Sequence, residues 1–195
     1  MKLIALSTVL VASLFSLPGG GTDTNQPPAG WSVDAVHSSV VFKIKHAGAS
    51  WFYGTFTGVK GTFSFDADKP ADSKIDVTID AQSIATRDEK RDQHLRGSDF
   101  FDAKQFPDIT FKSTKVSKDG DGFSVVGDLT LRGETKPVTA KIVKTGEGEF
   151  MGKRVGYEAT FTIMRRDFGV KGGQADAALG NEVMVTVAIE GVQAK

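Results

Sequence analysis

The chain contains no cysteine among its 195 residues. That absence excludes disulfides, thiolate metal sites, a cysteine nucleophile and a lipid-modified cysteine at the N-terminus, so stability must come from apolar burial and backbone hydrogen bonding. Histidine is scarce too: His37, His46 and His94 are the only three, in no His-x-His or His-Glu-x-x-His arrangement. A metal centre would have to be assembled from distant segments, and neither a metal nor another cofactor is expected. There is no Gly-x-Ser-x-Gly elbow and no phosphate-binding glycine loop, and no catalytic residue stands out. An excess of either charge is also missing, since 24 Lys plus Arg balance 24 Asp plus Glu. Composition therefore indicates no basic surface for nucleic acid or for an anionic membrane and leaves a neutral or amphipathic ligand open.

The one long apolar run lies at residues 3–17, after Met1-Lys2 and before Pro18-Gly19-Gly20-Gly21. It is short for a membrane-spanning helix, which needs roughly 20 apolar residues, and it matches the apolar core of a secretory signal. We expect an export signal over residues 1–21, with no clean Ala-x-Ala cleavage site and a retained anchor as the alternative. Residues 22–30, with Pro27-Pro28, read as a flexible linker, and a single domain is expected over 31–195. Such a signal predicts an exported protein.

What the chain has in quantity is alternation. In Ser39-Val40-Val41-Phe42-Lys43-Ile44-Lys45-His46, the residues Val40, Phe42, Ile44 and His46 share one face, while Val41, Lys43 and Lys45 share the other. That period marks a strand buried on one side. The pattern recurs in Val59, Gly61, Phe63 and Phe65, with Phe56 in the opposite phase and a bend predicted near Gly58. It continues through Ile75, Val77, Ile79 and Ala81, then Ile109 and Phe111, then Phe123, Val125, Gly127, Leu129 and Leu131. Val138, Ala140 and Ile142 form a sixth row, residues 155–163 a seventh and residues 183–189 an eighth. Eight such strands predict an all-β domain, a closed barrel or a sandwich, and an eight-stranded barrel has room for side-chain filling or for one small ligand. Large residues (Phe42, Phe111, Phe161) and small ones (Gly61, Gly127, Ala159) are mixed in the inner rows, which fits either interdigitated packing or a tunnel.

Thr86-Arg87-Asp88-Glu89 has the form of a capping box, predicting a short helix through Leu95 that stops near Gly97. Leu95 is its only strong apolar residue, so the helix is expected to lie across one end of the domain. Trp51, Phe52 and Tyr53 cannot all point inward, and one or more is expected at an opening unless the loop simply packs on the domain. His46 is either a satisfied core histidine or a contact for a ligand's polar end. Arg166 with Asp167 reads as a solvated pair. Arg165 at the end of an apolar row needs an anionic or polar partner.

These residues resemble the YceI-like family of polyisoprenoid-binding, lipocalin-like periplasmic proteins. The resemblance rests on Trp31, Asp34, His37-Ser38, Phe42 and His46, followed by Gly54 and Phe56. Arg91, His94-Leu95, Phe100-Phe101-Asp102 and Phe106-Pro107 match the central motif. Gly127-Asp128-Leu129-Thr130 with Gly133 and Lys136 follows, and Arg165 with Asp167-Phe168-Gly169 closes the series. Gly97 and Asn181 depart from the expected serine and aspartate.

The resemblance implies an eight-stranded antiparallel barrel with a short helical segment across one end, holding a long-chain lipid, most simply an isoprenoid, for sequestration or transport. Phe42, Phe111, Leu129 and Phe161 would line the tail site, with Phe56, Leu95, Phe101 and Phe168 as further contacts. His46, Arg91 and Arg165 would meet the polar end. An enzyme acting on the bound lipid through His46, and a ligand-free interaction barrel, are the alternatives. At about 0.8 kcal/mol per buried CH₂, a twenty-carbon tail would gain roughly 16 kcal/mol before ordering costs. Loading should therefore need transient membrane contact or a partner, with the segment 87–106 as a gate. Unchanged transfer after cross-linking that segment to the barrel would count against the gate. An exposed edge would permit a homodimer.

Overall fold

The computed structural model describes residues 30–193, so the expected export signal and the linker up to residue 29 lie outside the described residues. The chain forms β1 (Trp31–Val33), β2 (Ser39–His46), β3 (Ser50–Phe56), β4 (Val59–Ser64), β5 (Lys74–Asp80), β6 (Ile84–Ala85), α1 (Glu89–Arg96), β7 (Asp108–Asp119), β8 (Gly122–Leu131), β9 (Glu134–Glu149), β10 (Lys153–Met164) and β11 (Leu179–Gln193). Among the described residues no helix is long and apolar enough to cross a membrane.

These segments make a closed antiparallel barrel of eight strands. β1 with β2 and β3 with β4 are each one strand interrupted by a short break, as the phase change between Phe56 and Val59 predicts. Sequence neighbours pair throughout, and Trp31 closes the ring by lying opposite both Phe63 of β4 and Gln193 of β11. Beside this seam Arg154 Nη1 donates to Asp34 Oδ2 at 2.6 Å and to Glu190 Oε1, and Asp34 lies 3.0 Å from His37 Nδ1. Full closure leaves no free edge around that part of the barrel. At the opposite end the ring opens: β3 pairs on its second side only at Thr55 and Phe56, with Ala85 and Ile84 of β6.

Helix α1 spans that gap, held by polar contacts in keeping with its composition. Arg96 donates to the carbonyls of Gln82 and Ile84 at 2.9 and 3.0 Å, and buried Asp92 accepts the Thr86 amide at 2.8 Å. The predicted capping box is corrected here. Asp88 is the N-cap, accepting from the Arg91 amide at 2.8 Å, while Thr86 donates its hydroxyl to Asp92. An aspartate immediately before the first helical turn does the capping work directly and frees Thr86 to turn inward. The stop at Gly97 is as predicted, with its amide bonded to the His94 carbonyl.

The inner rows supply the core, and two of their glycines prove to be filled. A Cβ on Gly54 would come within 2.7 Å of the Phe42 ring, and one on Gly127 within 2.7 Å of the Phe111 ring and 2.6 Å of the Lys112 carbonyl. Each ring lies over the glycine of the adjacent strand, so these glycines accommodate an aromatic neighbour and leave no tunnel of their own.

Candidate functional site

The lumen divides into two halves. Toward the closed end, Phe65 stacks on Tyr157 with centroids 4.4 Å apart and lies 5.0 Å from Phe123, while Phe63 meets Tyr157 edge-on at 5.6 Å. Burial in this cluster pushes the Tyr157 phenol above its ordinary pKa. A void of about 30 Å³ lies beside this cluster. Toward the open end lies a cavity of about 460 Å³. Its wall is built by inward residues of separate strands, among them Val40, Ile44, Ile79, Leu129, Phe161 and Val185. Filled and hollow interiors, alternatives for the sequence, thus share one barrel.

Polar groups gather at the rim. His46 ends the inner row of β2, and its side chain is exposed, not buried as the sequence suggested, because β2 ends there in the turn to β3. It makes no side-chain hydrogen bond with another described residue. Helix α1 turns Arg91, His94 and Leu95 toward the cavity, the i, i+3, i+4 spacing that puts residues on one face. Arg91 donates to the hydroxyl and carbonyl of Thr86 at 2.8 and 2.7 Å and stacks 4.6 Å above the Phe52 ring. His94 lies 3.4 Å from Asp99 Oδ2 and meets the Phe100 ring edge-on.

The third lip is the segment 165–178. Arg165 is 3% exposed. Its Nε donates to the Gly180 carbonyl, Nη1 to those of Val170 and Lys171, and Nη2 to Asp176 Oδ1 at 2.7 Å and to the Leu179 carbonyl. The partner that the sequence demanded is therefore internal. Arg165 borders the cavity, but its donors are spent on the strap that carries Val170, Ala175 and Leu179. Arg166 bonds Asp176 Oδ2 at 2.8 Å in place of the expected Asp167. These two guanidiniums, Arg165 first, hold the Asp176 carboxyl below its usual pKa.

Of the residues proposed from the sequence, the cavity brings together Phe42, His46, Phe56, Arg91, Leu95, Phe101, Leu129, Phe161 and Arg165. Phe111 and Phe168 stand outside its lining: Phe111 covers Gly127, and Phe168 is buried beneath the Gly169 turn. Trp51, Phe52, His94 and Phe100 are additional lining residues. The aromatic run 51–53 signalled the first two, and the i+3 relation to Arg91 could have signalled His94. Among the described residues, one cluster could gather around a cation, Asp34, His37 and Glu190. Arg154 already bonds both of its carboxylates.

Residues 31–191 match the family described as YceI-like domain. The chain belongs to the YceI-like family. A YceI protein of Escherichia coli O157:H7 is 46% identical over 161 residues, 82% of this chain and 83% of that one. Among solved structures similar to this barrel, BcnA of Burkholderia cenocepacia has a TM-score of 0.74 at 26% identity, covering 81% of this chain and 98% of that one. A polyisoprenoid binding domain from Saccharophagus degradans shares the fold, with a TM-score of 0.64 at 15% identity over 85% of this chain and 99% of that one. Of the motif residues, Asp34 lies at the seam, and Arg91 and Arg165 lie at the rim.

Proposed function

We propose that this YceI-like barrel binds one long-chain amphiphilic lipid, with an isoprenoid tail in the cavity and its polar end at the rim among His46, Arg91 and His94. The observation that carries this reading is the cavity of about 460 Å³, apolar along its wall and edged by cationic and titratable groups. That volume lies in the range of small-molecule sites, roughly 300 to 1,000 Å³. The polyisoprenoid-binding neighbour supports an isoprenoid as the first ligand class to test. Binding and carriage are what we infer the site serves: among the described residues no side chain hydrogen-bonds His46 to orient it as an acid or base.

Ten buried methylenes would contribute about 8 kcal/mol before ordering costs, so release into water is slow and exchange takes place at a membrane. Leu129→Trp places an indole inside the cavity, where it competes with the tail. The variant should keep its thermal transition and take up far less polyprenyl lipid from donor vesicles; uptake equal to wild type sinks the proposal. Export is read from the apolar residues 3–17, and the periplasm as destination from membership in the YceI-like family. Recovery of the chain only in the cytoplasmic fraction would count against it.

A further inference from the structure

A soluble barrel has little use for aromatic residues on its outer face, yet the β2–β3 hairpin carries two beside the rim. The antiparallel register sets Lys43 opposite Tyr53 and Lys45 opposite Trp51. Lys43, Lys45 and Tyr53 face outward, since Ile44 and Phe52 between them line the cavity, and Trp51 is shared between this face and the mouth. Trp51 is 38% exposed and Tyr53 51%. The ammonium groups of Lys45 and Lys43 stand 4.5 and 4.9 Å from the Trp51 ring centroid. Trp51 also borders the mouth, so this outer patch and the opening share an edge. The next strand continues the patch with Met184, opposite Lys43, and half-exposed Met164 at the end of β10 lies opposite Glu182. Glu182 is the one acid in residues 179–186, so the two lysines leave the patch positive.

We propose that this hairpin face docks the mouth of the barrel onto an anionic lipid surface. Tryptophan and tyrosine settle at the headgroup level of a bilayer, where an apolar ring and a polar edge are both accommodated. Lysines beside them gain from a negative surface potential that decays within a Debye length. The cation–π arrangement places both charges at the level of the ring instead of leaving them on extended stems. Docking there puts the opening against the acyl region, the route that a tail with a high cost of exposure requires. The inference rests on the proposed lipid carriage for its purpose, but docking can be measured without it.

The test is flotation of the full chain with vesicles of phosphatidylcholine, with or without phosphatidylglycerol, at low and high salt. Lys43→Gln/Lys45→Gln should weaken binding to the anionic vesicles about thirtyfold, equivalent to about 1 kcal/mol per lysine. The exposed pair at the far end of the barrel, Phe150 and Met151 in the β9–β10 turn, is the control, and Phe150→Ser/Met151→Ser should bind like wild type. The chain has two tryptophans, so Trp31→Phe leaves Trp51 as the only one, and brominated acyl chains should quench it when the vesicles bind. Wild-type binding in the lysine variant, loss of binding in the far-end variant, or an unquenched Trp51 each overturns the proposal. A barrel that carries lipid but does not dock this way sinks this inference alone. One that docks and never carries lipid sinks the proposed function and leaves the docking face standing.

Discussion

Replacing Arg165 by methionine keeps most of the stem's packing and removes a guanidinium whose donors all end on the protein itself. The carbonyls of Val170, Lys171, Leu179 and Gly180 lose their partner at once, and Asp176 keeps only Arg166. A buried polar group left without a partner costs about 1 to 3 kcal/mol, and breaking a buried ion pair from one side about 3 to 5. Asp176 and part of the strap reach solvent, so water recovers some of this. We expect a net loss of about 3 to 5 kcal/mol. With a urea slope of about 2 kcal/mol per molar, the unfolding midpoint should fall by roughly 2 M. Arg165→Lys, with three donors in place of five, should fall between the two. Because the guanidinium has no donor to spare, uptake of charged-head and neutral-head lipids should decline together as the strap loosens. A midpoint shift below about 0.5 M, with a loss confined to anionic heads, would refute this reasoning and return Arg165 to the ligand.

Two further perturbations address the frame that holds the cavity. Gly127→Ala should destabilise more than Gly54→Ala, because its Cβ meets the Lys112 backbone as well as a phenylalanine ring, whereas Gly54 faces side chains alone. Overpacking of this kind costs about 1 to 3 kcal/mol, and equal urea midpoints for the two variants would contradict the ring-over-glycine account. Hydrogen bonds from His37 and then Arg154 hold the Asp34 carboxyl well below the usual carboxylate range. A folded pKa below the unfolded value of about 3.9 contributes stability that is present above that value and lost as pH falls toward the folded one. The wild-type urea midpoint should therefore drop more steeply below about pH 4 than that of Asp34→Asn, and parallel profiles would remove Asp34 from the acid response.

Most strands were legible because each buries one face, as the alternation in Val40, Phe42, Ile44 and its later counterparts shows, whereas residues 50–54, read as a loop, form most of β3 through pairing with β2. The break near Gly58 and the stop at Gly97 were legible for the same local reasons. Other features depend on distant partners. Phe65, Phe123 and Tyr157 plug the lower lumen only because three separate strands bring them together, and no local pattern separates them from the residues around the cavity. Arg165 is satisfied mostly by backbone carbonyls, which have no signature in side-chain sequence. The capping-box pattern pointed to Thr86, and only the folded turn makes Asp88 the cap. Phe111 fits the inner alternation yet covers Gly127, a relation set by cross-strand register.

The most direct test of the central claim is native mass spectrometry of the protein isolated from the envelope of cells that make it, followed by organic extraction of whatever it releases. The account predicts one long-chain isoprenoid lipid per barrel, displaced in Leu129→Trp. A wild-type barrel that is empty as isolated, and stays empty when offered polyprenyl phosphates, isoprenoid quinones and fatty amides, would contradict it.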